Sequence, residues 1–521
     1  MTSTHDNAAW HFLHRHVAAG DGARPAFHDP HRALSYAELA TTAGCFAAGL
    51  AAAGIGRERR IALVMLDTVD FPAAFWGAIG GGVIPVPVNT MLTPEQTAYI
   101  LADSRAEALV VSAPLLPALR PVLPALPALR QVVVAAVDGA PVPAETPPEA
   151  PHEIGWSAFL GAAPAPLVEA SPDEVAFWLY SSGSTGQPKG ARHLHASLRA
   201  TADTYAAQVL GIRPDDVVFS AAKLFFAYGL GNGMTFPMSV GAQAVLLPDR
   251  PTPAAVLGMM ARFRPSIFGG VPTLYAALLA EAGLGRGAGS DRLRACISAG
   301  EALPEPVARR WDERTGVPIL DGLGSTEILH IFLSNAPGDI GHGTSGRAVP
   351  GYALRIVDAE GNDVADGEAG ELIVRGPSAA DGYWNQRARS LRTFRGEWTW
   401  TGDTYVRDAD GRYRYLGRAD DMMKVGGIWV SPFEVETALL AHPDVLEAAV
   451  VGAEDADGLT KPKAFLVPRR ADVDPERLRA ELKALVQDRI GVWKYPRWIA
   501  LTDSLPKTAT GKIQRYKLRG S

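Results

Sequence analysis

The chain has 521 residues, 47% of them hydrophobic, with a net charge of −6 and a pI near 6.1. That is about three or four domains' worth of chain with ample apolar content, which excludes global disorder, and the balance of charge gives no basis for nucleic acid or an anionic membrane as partner. Two cysteines, Cys45 and Cys296, exclude a disulfide framework and point to a reducing, cytoplasmic compartment.

The N-terminus carries Asp6 and several His but no apolar stretch, so no secretory signal is expected, and no uncharged apolar run is long enough to span a bilayer. From there short apolar runs alternate with helical patterns. "RIALVML" (60–66), "EALVVSA" (107–113) and "QVVVAAV" (131–137) read as strands, as do "DVVFSAA" (216–222), "AQAVLLP" (242–248), "SIFGGVP" (266–272) and "RACISAG" (294–300). Between them "TPEQTAYILADS" (93–104) and "TPAAVLGMMARFR" (252–264) read as helices. The alternation predicts parallel α/β layers. The Pro/Ala-rich stretch 114–151 is expected to be a surface connection around one strand. "GLGNG" (229–233) and "GLGRGAG" (283–289) lack the context of a dinucleotide fingerprint and are expected to be turns.

"YSSGSTGQPKG" (180–190) follows the apolar run "EVAFWLY" and precedes "ARHLHASLRATADTYAAQVLG", whose spacing predicts a helix. A loop pinned between two core elements is not a linker. Its glycines let backbone N–H groups approach a ligand, its hydroxyls add donors and Lys189 adds charge, so it reads as a phosphate cradle. It is not the common P-loop, which needs G-x-x-x-x-G-K-[ST].

After about residue 327 the texture becomes short strands and turns, a β-rich subdomain over about 330–418, followed from Asp420 by a compact α+β domain of about 100 residues (420–521). Four further polar clusters stand out. "DGLGSTE" sets Glu327 after a buried strand, where a carboxylate either holds a metal or favours a helix N-terminus. "TWTGDTYVRD" carries Asp403, a ribose acceptor or a turn closure. "YLGRADDMMKVGG" sets Arg418, Asp420 and Lys424 beside Gly426 and Gly427, either at a site or on a solvated hairpin. "LPKTATGKIQRYKLR" holds Lys512 near the C-terminus, functional or a frayed basic tail.

In this order and spacing the five motifs resemble the adenylate-forming superfamily of acyl-CoA synthetases, peptide-synthetase adenylation domains and luciferases, over nearly the whole chain. Within it "AAKLFFAYGLGNGMTFPMSVGA" (221–242), "GGVPTLYAALL" (269–279), "SAGEALP" (298–304), "DGLGSTEILHIFLSN" (321–335) and "GTSGRAVPGYALRIVD" (343–358) resemble benzoate-CoA ligases. Arg192, Gly426 and Trp429 depart from the usual residues at their positions. The last two lie in the segment expected to admit the thiol.

The resemblance implies an α/β N-terminal domain (1–419), a mobile C-terminal domain and a hinge at Asp420. It implies ATP, Mg²⁺ and coenzyme A, with an aromatic carboxylic acid as substrate: benzoate, or a 2-amino or hydroxy derivative. Ser181, Ser182, Gly183, Ser184, Thr185, Gly186 and Lys189 would hold phosphates. Gly300, Glu301, Ala302, Asp321, Gly322 and Thr326 would meet the adenylate, and Asp403 and Arg418 the ribose. Glu327 and Thr185 would serve the metal, and Lys512 the adenylation step. Lys424, Gly426 and Gly427 would line the pantetheine path. Phe226, Ala227, Tyr228, Gly322, Leu323, Gly324, His330 and Ile331 would line the aryl site, with Tyr228 and His330 facing a ring substituent. The apolar Phe226 stands where amino-acid activators place an Asp. A free-standing aryl acid adenylating enzyme that loads a carrier protein remains the alternative. The chain is expected to be a monomer or homodimer.

Overall fold

The computed structural model describes residues 2–140, 151–161, 163–182, 187–418, 421–425, 428–455, 459–470, 472–491, 494–507 and 513–519. The apolar runs form two parallel sheets. One has five strands, ordered Ile84–Pro87, Arg60–Val64, Ala108–Ser112, Gln131–Ala135 and His152–Gly155. The other has nine. Its parallel centre runs Ile319–Gly324, Ala295–Ser298, Ile267–Gly270, Val217–Ser220, Gln243–Val245, Pro25–His28. Central strands such as Ala295–Ser298 are buried throughout, which is why they read as unbroken apolar runs rather than alternating ones. The N-terminal strand Pro25–His28 thus closes against residues more than 200 positions later, with Ala33–Ser35 as the antiparallel edge beyond it.

The helices start where their caps dictate. Thr93 and Gln96 form a capping box ahead of Pro94–Ser104, and the Thr252 side chain caps Pro253–Phe263. The Pro/Ala-rich stretch is more than surface connection: its short helical turns bury Leu116, Leu119, Leu123 and Leu126 beside the five-stranded sheet. Residues 141–150 lie outside the described residues.

Three local expectations are corrected. The segment after the Gly-rich loop opens as a strand, Pro188–Leu194, antiparallel to Val175–Ser182, with the helix starting only at His195. Its outer edge pairs with Gly382–Tyr383, nearly 200 residues away, so a distant partner overrides the helical spacing. "GLGNG" lies in helical backbone, Ala227–Leu230 running into Gly231–Thr235, because its small residues let the helix pack against the Ala222–Lys223 backbone and the His330 ring. Ile331–Ser334 and Arg347–Ala348 extend the nine-stranded sheet rather than the β-rich one, which comprises Ala353–Val357, Ala369–Arg375, Phe394–Arg395, Trp398–Arg407 and Tyr413–Arg418.

The C-terminal part carries a sheet of Val445–Glu454, Thr460–Pro468 and Trp498–Leu501 under helices Pro432–Leu440 and Pro475–Ile490, around Leu439, Val450, Leu466 and Leu482. Between this unit and the larger body runs a cleft of about 1050 Å³, lined from both sides.

Candidate active site

The hairpin Val175–Ser182/Pro188–Leu194 sets Ser181 opposite Lys189 at the cleft wall. The Ser181 Oγ is buried without a hydrogen-bond partner in the protein, a polar atom left for a ligand. Gly190 follows Lys189 because a Cβ there would lie 2.9 Å from the Tyr180 ring. Gly183, Ser184, Thr185 and Gly186 lie outside the described residues, as do Asp420, Gly426, Gly427 and Lys512.

Glu327 sits just past the strand Ile319–Gly324. Its turn is pinned: the Glu327 carbonyl accepts from the Ala380 N–H at 2.8 Å, the Ile328 carbonyl accepts from Ser378 Oγ at 2.7 Å, and Leu329 takes a left-handed φ of 69°. The Glu327 carboxylate meets Lys189 Nζ at 3.0 Å and accepts from the Tyr383 hydroxyl at 2.7 Å. Lys189 Nζ also donates to that hydroxyl at 2.7 Å. Burial alone would raise the Glu327 carboxyl, but Lys189 and the Tyr383 hydrogen bond together hold it below the usual carboxylate range.

Gly300, Glu301 and Ala302 follow the strand Ala295–Ser298 and line the cleft beside Asp321, Gly322 and Thr326. Burial pushes the Asp321 carboxyl well above the usual range, and its Oδ1 has no hydrogen-bond partner. Asp403 and Arg418 stand opposite each other on neighbouring strands, joined at 2.9 Å, and both line the cleft. Lys424 lies on the strand Met423–Val425, whose antiparallel partner is Ile428–Val430.

Among the aryl-site candidates, Gly322, Leu323 and Gly324 line the cleft. Phe226, Ala227, Tyr228, His330 and Ile331 are not on its wall. Ile331 pairs with Gly324 on the neighbouring strand, and the His330 ring packs among Tyr205, Tyr228 and Phe236. The Tyr228 hydroxyl lies 3.0 Å from the Gly270 carbonyl and 2.9 Å from that of Ile297. Burial drives the His330 imidazole down to about 3, so it is neutral.

The opposite wall brings in Glu436 and Glu447, which the sequence did not single out, against two basic residues of the C-terminal motif. Glu436 is buried against Arg515, and Lys507 bonds Glu447 at 2.7 Å. Lys507 also pairs with Ile513 as an isolated bridge, and the Gln514 N–H donates to the Pro506 carbonyl at 2.8 Å. The chain on either side of 508–512 is therefore closed on itself. Tyr383 was missed as well; "DGYWNQ" contains no pattern that marks it.

Among the described residues no group of three or more His, Cys, Asp or Glu is placed to hold a metal by itself. One carboxylate at a cleft wall nonetheless suits Mg²⁺, which is commonly held by one or two carboxylates together with substrate phosphates and water. Glu327 fits that part.

A two-part α/β fold with a hairpin loop, the part-buried Glu327 carboxylate and an Asp321 oxygen without a protein partner around one cleft defines an adenylate-forming enzyme. The chain matches the AMP-binding enzyme family over residues 14–384 and the AMP-binding enzyme C-terminal domain over residues 434–512. It belongs to that family. It is 52% identical to a benzoate–CoA ligase of Thauera aromatica over 519 residues, 99% of this chain and 96% of the relative. It is 51% identical to a 4-hydroxybenzoate–CoA/benzoate–CoA ligase of Rhodopseudomonas palustris, covering 98% and 94%. The crystal structure of a benzoate CoA ligase from Burkholderia xenovorans LB400 superposes with a TM-score of 0.89 at 47% identity, covering 98% of this chain and 99% of that one.

Proposed function

We propose that the protein joins benzoate, or a ring-substituted benzoate, to coenzyme A at the expense of ATP, through an acyl-adenylate, with release of pyrophosphate and AMP. The observation that carries this reading is identity above 50% to benzoate–CoA ligases across almost the whole chain.

A carboxylate is a poor acyl donor because its leaving group would be oxide. Attack of the carboxylate on the α-phosphorus of ATP forms the adenylate and expels pyrophosphate. Attack of the thiolate on the acyl carbon then expels AMP. The first step brings an anion to a polyanion, so preorganised cations and N–H donors are the largest expected contribution. Ser181 and Lys189, with Ser182, Gly183, Ser184, Thr185 and Gly186, cradle the β- and γ-phosphates. Lys512, a flexible point charge, meets the carboxylate and the α-phosphate. Asp321, whose Oδ1 lacks a protein partner, meets the nucleobase beside Gly300, Glu301 and Ala302. Asp403, held by Arg418, accepts from the ribose hydroxyls. Glu327 and Thr185 would hold Mg²⁺, which when bound would supply charge neutralisation at the phosphates.

The acid lies against Gly322–Gly324, a wall made thin by its glycines. Behind it Phe226, Ala227, Tyr228, His330 and Ile331, largely aromatic, would favour a flat ring over a flexible chain. Rotation of the C-terminal domain (420–521) about Asp420 then withdraws Lys512 and brings Lys424, Gly426 and Gly427 to the thiol.

The test is a product assay with ATP, Mg²⁺ and CoA against benzoate, 2-aminobenzoate, 4-hydroxybenzoate and octanoate. Benzoyl-CoA should dominate. Octanoate as the best acid would refute the aryl reading. Adenylate without thioester would direct the acyl group to a carrier protein instead.

A further inference from the structure

Lys189 and Glu327 hold each other. Their side chains are 18% and 14% exposed and 3.0 Å apart. In the ATP reading, on which this inference rests, both have other work: Lys189 on the phosphates and Glu327 on a cation. Lys189 cannot leave alone. Removing one partner of a part-buried pair leaves the other charge uncompensated at a cost, and here the stranded carboxylate would also face a polyanion. A nucleotide that brings its own divalent cation avoids this, because the cation takes the place of Lys189 on Glu327. Metal-free ATP does not.

Tyr383 touches both members. Its hydroxyl donates to Glu327 Oε1 and accepts from Lys189, each at 2.7 Å, and its ring lies 4.3 Å beneath the Lys189 ammonium. It is held in place by pairing of the strand Gly382–Tyr383 with the strand that carries Lys189, and by packing on Phe394. When Lys189 moves away, the hydrogen bond to Glu327 stays.

We propose that the Lys189–Glu327 pair is an exchange switch that makes the site select the cation complex of ATP over free ATP, and that Tyr383 is a positioning residue that keeps Glu327 aimed in both states.

The experiment is calorimetric binding of ATP to the full-length protein, in EDTA and in Mg²⁺, with wild type, Glu327→Gln, Lys189→Met, the double variant and Tyr383→Phe. Wild type should bind the Mg²⁺ complex at least about tenfold tighter than free ATP. Glu327→Gln frees Lys189, so free ATP should bind about tenfold tighter than to wild type. That gain should vanish in the Lys189→Met background, a coupling that simple relief of repulsion would not produce. Tyr383→Phe keeps the ring and loses one hydrogen bond to a charged group, on the scale of about tenfold. It should weaken binding of the Mg²⁺ complex and leave free ATP unaffected. In ATP–pyrophosphate exchange it should raise the half-saturating Mg²⁺ concentration by a larger factor than it lowers kcat. Equal binding of both forms of ATP by wild type, additivity of Glu327→Gln and Lys189→Met, or a Tyr383→Phe effect confined to kcat would overturn the switch. Absence of binding of either form to any variant or to wild type would overturn the ATP reading and the switch with it.

Discussion

Glu436→Gln should separate the two half-reactions. Glu436, on the helix Pro432–Leu440, accepts from Arg515 Nη2 at 2.8 and 3.0 Å, from Arg515 Nε at 3.2 Å and from the Val450 N–H at 2.7 Å. Burial raises its carboxyl even against the pull of Arg515, while the guanidinium is stabilised in its charged form by Glu436. Removing one charge from such a pair costs about 3–5 kcal/mol, and glutamine, which keeps one acceptor, belongs at the lower end. Most of that cost falls on the C-terminal tail. The helix Arg515–Leu518 has only four residues and does not stand alone. Its anchors also include Ile513 and Leu518 on a small cluster with Val451 and Phe465, the Gln514 N–H on the Pro506 carbonyl, and a surface ion pair of Arg519 with Asp421. A loss of about 3 kcal/mol shifts the docked-to-undocked ratio about 100-fold. Lys512 lies three residues before Arg515. ATP–pyrophosphate exchange should therefore fall about 10- to 100-fold, while thioester formation from pre-made benzoyl-adenylate stays within about threefold. Hydrogen exchange at 513–519 should accelerate without change in the strand Thr460–Pro468. Equal loss of both half-reactions, or unchanged exchange at 513–519, would refute the reasoning.

Lys512→Ala should lower pyrophosphate exchange by about 100-fold or more and spare the thiol step; loss of both alike would remove Lys512 from the adenylation step. Gly231→Ala would set a Cβ 2.5 Å from His330 Nε2 and 3.0 Å from Phe236, where the imidazole is boxed in by Tyr205 and Tyr228. Overpacking of about 1–3 kcal/mol should lower the urea midpoint and reduce kcat/KM for benzoate by about 5- to 150-fold; if neither moves, the layer behind the acid wall is not rigid. Stability should fall as the pH drops from about 6.5 to 5. His193, His195 and His330 are held neutral by burial, at about 4, 4 and 3, so the unfolded chain binds more protons than the native one in that window. Each loses about 2 kcal/mol by pH 5. Asp67, raised to about 6 by burial, and Asp321, raised well above the usual range, work in the opposite direction, but between pH 7 and 5 they return about 1 kcal/mol and at most about 3 kcal/mol, so the three histidines together decide the sign. A urea midpoint that rises on acidification would contradict this.

The parallel strands were legible because burial on both faces writes an unbroken apolar run, and the helices Pro94–Ser104 and Pro253–Phe263 because Thr93 and Thr252 are local caps. What failed was non-local. Pro188–Leu194 contains Lys189, Gly190 and Arg192, and it is a strand because Val175–Ser182 and Gly382–Tyr383 flank it. Tyr383 earns its place only through contacts with Lys189 and Glu327, 194 and 56 positions away. Glu327, Asp403 and Arg418, which the motifs singled out, all line one cleft. No spacing rule could say that the Tyr228 hydroxyl meets the Gly270 and Ile297 carbonyls, 42 and 69 positions away.

The far edge of the nine-stranded sheet sets a schedule for biosynthesis. Phe27 and His28 pair with Ala244 and Val245, so the second strand to complete this edge emerges more than 200 residues after the first. At a synthesis rate of roughly 5–20 residues per second, Pro25–His28 waits on the order of 10–40 s for its partner. Ala26 and Phe27 are 1% and 0% exposed in the finished protein. During that interval they are apolar side chains on a hairpin whose inner edge has no partner, so the N-terminal hairpin of a stalled nascent chain is open to chaperones and to wrong partners.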